Sequence, residues 1–132
     1  MVTLALLLLA VVPVAAWRYA RAHAPSHIWV LSGAAFGFVV SPLSMGLYST
    51  FFIGPLFPPG LLTGLLGLLS GFFHGTPGYE AAIWFGLIPP NKVVSGPDHI
   101  YIEVLNGAFW AVVYGLLGFL VDRVRSRVHE SS

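Results

Sequence analysis

Residues 22–79 read AHAPSHIWVLSGAAFGFVVSPLSMGLYSTFFIGPLFPPGLLTGLLGLLSGFFHGTPGY, and from Ala22 to Tyr79 there is no Asp, Glu, Lys or Arg. A water-soluble domain cannot run so far without charge, because something must face solvent at intervals. A bilayer lifts that demand and imposes another, since every backbone polar group must then be satisfied within helices. The stretch therefore reads as part of an all-α integral membrane protein.

The whole chain agrees. Of 132 residues, 57% are hydrophobic and 8% are charged, against about a quarter charged in ordinary soluble domains. This length suits one polytopic membrane domain, residues 1–132, of about four helical segments. A formal net charge of +1 makes no case for nucleic acid, and the absence of cysteine excludes disulfides, thiolate metal sites and thiol nucleophiles.

Four hydrophobic segments are expected, at about 2–17, 28–48, 51–73 and 100–121, with a polar loop at 74–99 and a basic tail at 122–132. The first contains Pro13 and is followed by Arg18 and Arg21, a charge order opposite to that of a cleaved signal peptide, so a retained helix is expected. Pro25-Ser26 reads as breaker and N-cap for the second segment, which Ser41-Pro42 kinks or ends. The third is broken by Pro58-Pro59-Gly60 and either spans or is re-entrant. Within the polar loop, Tyr79 to Ile88 could form a short interfacial helix stopped by Pro89-Pro90. Asp98 is a natural N-cap for the last segment.

Basic residues weigh the two topologies. If segments one, two and four cross and 61–73 returns on one side, Arg18, Arg21, Arg123, Arg125 and Arg127 share one face and Lys92 takes the other. Four full crossings split them three against three. The positive-inside rule favours the first, while simplicity favours the second. Either way, the tail is expected in the cytoplasm, and a bacterial inner (plasma) membrane is the expected address.

Small residues recur one helical turn apart: Gly33 and Gly37; Gly60, Gly64, Gly67 and Gly71; Gly107, Ala111 and Gly115. Such faces let helix backbones approach closely in lipid. They pack against each other within the chain, or leave one face for another subunit or a second copy. Trp110, deep in the last segment, is expected to pack on a neighbouring helix.

The chemistry-bearing side chains gather elsewhere: His74, Glu80, Asp98, His99, Glu103 and Asn106. Imidazole and carboxylate together can bind a metal or relay protons, here through His74, Glu80, Asp98, His99 and Glu103, though the same residues more commonly solvate helix ends. Glu103 stands out because an ionised carboxylate in a first helical turn inside a membrane needs a partner. No nucleophile elbow, zincin motif or phosphate loop occurs, so no catalytic residue is assigned and no cofactor is implied. The expected role is that of an accessory or assembly subunit of a larger membrane complex. The alternatives are a small transporter or channel with Glu103 on its pathway, and a metal-dependent membrane enzyme using the 74–103 cluster.

Overall fold

The computed structural model describes residues 2–49, 58–91, 94–96 and 98–130, and every regular element among them is helical. Helix α1 spans Val2–His23, and a 3-10 turn at Pro25–His27 leads into α2, Ile28–Ser49. Helix α3 spans Pro58–Trp84 and α4 spans Asp98–Glu130. Two stretches, Pro25–Tyr48 and Asp98–Val128, are long and apolar enough to cross a membrane.

All four helices outrun their expected bounds, and the reasons differ. Helix α1 continues through Arg18 to His23, where the Arg21 guanidinium lies 4.8 Å from the centre of the Trp17 ring and covers it as a cation–π pair. Pro42 does not end α2, which runs on to Ser49. Pro58 and Pro59 do not interrupt α3 but open it, because a first-turn N–H has no helical partner to lose. The stretch 51–57 lies outside the described residues.

The largest correction concerns 74–99. His74 to Trp84 is not loop, and Tyr79 to Ile88 is not a separate helix, because α3 carries through Pro77 to Trp84. It stops before Pro89-Pro90. Gly86, at φ 70°, sends its N–H to Ile83 O and Leu87 N–H reaches Ala82 O, both at 2.9 Å. This 5→2 and 6→1 pair is a Schellman C-cap, which needs a residue at positive φ. Asp98 is itself the first residue of α4, and that helix takes in most of the expected tail.

Helices α2 and α4 run antiparallel along a seam of small residues. A methyl on Gly118 would strike the Trp29 carbonyl, one on Gly33 the Tyr114 carbonyl, and one on Gly37 the Trp110 carbonyl. Further along, Ser41 meets Asn106. Each step is four residues forward on α2 and four back on α4, so one turn of each helix meets one turn of the other.

Helix α3 packs on the half of this pair formed by the end of α2 and the start of α4. Gly67 lies against the backbone at Leu47 and Tyr48, and Gly78 lies against Ile102 and Asn106. Ala82, Ile88 and Ile102 form a small apolar cluster there, with Tyr79, Val94 and Leu105 packed around it. Because α2 and α4 are antiparallel, the chain leaves α2 and enters α4 at the same end. Four alternating crossings would have made them parallel.

Polar side chains share the interior with a few apolar ones, while large apolar side chains cover the outside. Ser41, Ser44 and Asn106 are buried, whereas Phe72 and Phe73 are 80% and 73% exposed and Leu62, Leu69, Ile100 and Val112 stand outside with them. Water penalises that arrangement by roughly 25 cal/mol per Å² of apolar surface.

Candidate functional site: a polar seam around Pro77

Proline at position 77 has no N–H to offer the carbonyl of Phe73 and crowds the turn before it. Two α4 side chains, one turn apart, serve the loosened turn. Asn106 Oδ1 accepts from Gly78 N–H, and its Nδ2 donates to Gly75 O at 3.1 Å and, at 3.4 Å, to Ser41 Oγ. Trp110 Nε1 donates to His74 O at 3.0 Å, the carbonyl that Gly78 N–H would meet in a regular helix. The absent side chain at Gly78 is what admits Asn106. Thr76 Oγ1 donates to Phe72 O at 2.8 Å.

A second chain of polar contacts runs beside the first. Ser44 Oγ donates to Val40 O at 2.7 Å and lies 2.6 Å from Ser70 Oγ. Ser70 Oγ lies 3.1 Å from His74 Nδ1, which also meets Ser70 O at 2.7 Å. His74 Nε2 lies 3.0 Å from the Tyr114 hydroxyl. The His74 ring packs on Trp110 at 4.6 Å between centroids. Asn106, Trp110 and Tyr114 thus form one stripe of α4 facing one stripe of α3. Both ring nitrogens of His74 are engaged.

The expected cluster of six is therefore divided. His74 and Asn106 belong to this interior seam. Glu80 and His99 are exposed, Asp98 is buried at the start of α4, and Glu103 is half-buried. Among the described residues, no three His, Asp or Glu side chains stand close enough to share a metal ion. Glu103 Oε2 is buried and has no hydrogen-bond partner among the described residues. It lies on an open groove of about 300 Å³ lined by Phe38, Pro42, His99, Ile100 and Val104.

The chain matches no known protein family, no characterised protein and no solved structure.

Several of the expected packing glycines lie at contacts between helices. Gly33 meets Tyr114 and Gly115, Gly37 meets Trp110 and Ala111, and Gly107 meets Phe38 across the α2–α4 seam, and Gly67 and Gly71 face α2. Gly64 is buried; Gly60 lies in the first turn of α3. Two contributors were not anticipated. Gly118 is buried against Trp29, one turn beyond the expected stripe. Asp122, read as part of the basic tail, caps α2: its Oδ2 accepts from Trp29 N–H and Val30 N–H, each at 3.0 Å. Ser26, the expected cap, lies one position inside the 3-10 turn with its Oγ 2.7 Å from His27 Nδ1.

Proposed function

We propose that this chain is an integral membrane protein in which α1, α2 and α4 cross the bilayer while α3 stays in one half, and that it acts by association, as an accessory or assembly subunit of a larger membrane complex. One observation carries the reading: the interior polar groups are turned on one another. Hydroxyl, imidazole, amide and indole groups of α2, α3 and α4 pair across the seam, as buried polar groups in lipid must. They hold α3 against α2 and α4, and among the described residues no three His, Asp or Glu side chains form a metal cage.

What remains to act is the outer surface, which is apolar along its length and charged at its ends. Antiparallel α2 and α4 put Arg123 and Arg125 beside the α1–α2 turn, with Arg18 and Arg21 on the last turns of α1. The arginine-rich end then faces the cytoplasm of a bacterial inner (plasma) membrane. Extraction in mild detergent followed by native mass measurement tests the role. A complex with other membrane subunits in fixed ratio is the expected result, and a lone monomer counts against it.

The Glu103 groove favours one second reading. A buried carboxylate oxygen with no donor among the described residues, on an open groove, is suited to a cation, as in a small transporter. In proteoliposomes, cation flux that survives Glu103→Gln undiminished would remove that reading.

A further inference from the structure

We infer that the hollow where the α1–α2 turn meets the end of α4 is a binding site for an anionic phospholipid headgroup. The hollow measures about 640 Å³ and is lined on one side by Pro25, Ser26, His27 and Ile28, and on the other by Phe119, Asp122, Arg123, Arg125 and Ser126. Its polar wall holds two guanidinium groups, an imidazole and two hydroxyls, all suited to phosphate oxygens. Its apolar wall, Phe119 with Ile28 and Pro25, continues onto the bundle's outer surface.

The one opposing charge is already engaged. Asp122 Oδ2 is held by two backbone N–H groups of α2, so the carboxylate answers the positive end of that helix and leaves the arginines facing the hollow. Those arginines belong to a strongly basic end: Arg18, Arg21, Arg123, Arg125 and Arg127 are five of the chain's six Lys and Arg residues. Positive charge at this density beside a cytoplasmic leaflet meets anionic lipid, and basic pockets between helices take phosphorylated headgroups. A free phosphate would use the polar wall alone, whereas a phospholipid uses both. The inference rests on the membrane reading above.

Two single substitutions of equal charge separate a site from a general field. Arg125 lines the hollow; Arg127 does not, lying instead beside Leu120, Arg123 and Val124. Both side chains are exposed, so neither substitution threatens the fold. The full chain is placed in nanodiscs of phosphatidylcholine with increasing phosphatidylglycerol, and retained lipid is counted by native mass measurement after mild extraction. The expected result is preferential retention of phosphatidylglycerol, weakened about fivefold by Arg125→Gln and less than about twofold by Arg127→Gln. Equal loss in both variants overturns the site, as does inorganic phosphate that displaces the lipid at low millimolar concentration. Carbonate washing of the source membranes distinguishes the two levels of failure. Release of the protein defeats the membrane reading itself, whereas a retained protein whose variants bind alike defeats only the lipid site.

Discussion

Replacing Asn106 with Leu removes the polar groups that serve the Pro77 turn while keeping the branch at Cγ and the number of side-chain heavy atoms. Three hydrogen bonds go: to Gly78 N–H, to Gly75 O and, long at 3.4 Å, to Ser41 Oγ. Interhelical hydrogen bonds in membrane proteins contribute on average about 0.6 kcal/mol each, with a maximum near 1.7. Two good bonds and one weak one therefore sum to roughly 1–3 kcal/mol. The upper part of that range applies if Gly78 N–H finds no substitute, since a buried orphan donor costs about 1–3 kcal/mol by itself. The assay is reversible unfolding in mixed micelles. Pro77→Ala supplies the second leg of a double-mutant cycle, because an alanine restores the missing N–H and lets the turn close on its own carbonyls. Asn106→Leu should then cost at least about 0.5 kcal/mol less in the Pro77→Ala background. A cost of Asn106→Leu within about 0.5 kcal/mol of zero, or strict additivity in the cycle, refutes the claim that α4 stabilises the proline turn.

Three further outcomes follow from the same packing. Gly37→Leu should destabilise by about 3 kcal/mol or more in the same assay, because its side chain meets the Trp110 backbone rather than a movable tip; Gly75→Ala, with nothing within 4 Å, should be neutral or stabilise by up to about 1 kcal/mol. Asp122→Ala should cost about 1–2 kcal/mol and speed hydrogen exchange at the Trp29 and Val30 amides, with Asp122→Asn between it and the parent protein. Tyr114→Phe removes only the hydroxyl facing His74 Nε2 and should cost about 0.5–1.7 kcal/mol in micelle unfolding.

An all-helical build with helices apolar enough to cross a membrane was legible because it depends on charge and hydropathy, and the small-residue faces because glycine spacing is local. Gly33 and Gly37 announce a face wherever their partner lies. The string His74-Gly75-Thr76-Pro77-Gly78 was not legible as helix. Every local signal in it says break, and the groups that hold it helical, on Asn106 and Trp110, are 28 to 36 residues away. Asp122 was hidden for a related reason. Beside Arg123 and Arg125 it looks like a solvated tail residue, and its role appears only when α4 is laid antiparallel to α2. That orientation turns on whether α3 crosses, which apolar length cannot decide: 61–73 is apolar enough for either. Of the six candidate polar residues, His74 was expected in the 74–99 loop and Asn106 in the last span; the structure turns both into the interior seam.

The central claim is that α2 and α4 both span a membrane and do so in opposite directions. The chain has no cysteine, so single cysteines report cleanly. Ser26→Cys and Ser126→Cys lie beside the basic hollow, and Ser95→Cys lies just before α4. Sealed right-side-out and inverted vesicles are treated with a membrane-impermeant maleimide. The account predicts that positions 26 and 126 label only in inverted vesicles and position 95 only in right-side-out ones. Labelling of all three from the same side would contradict it.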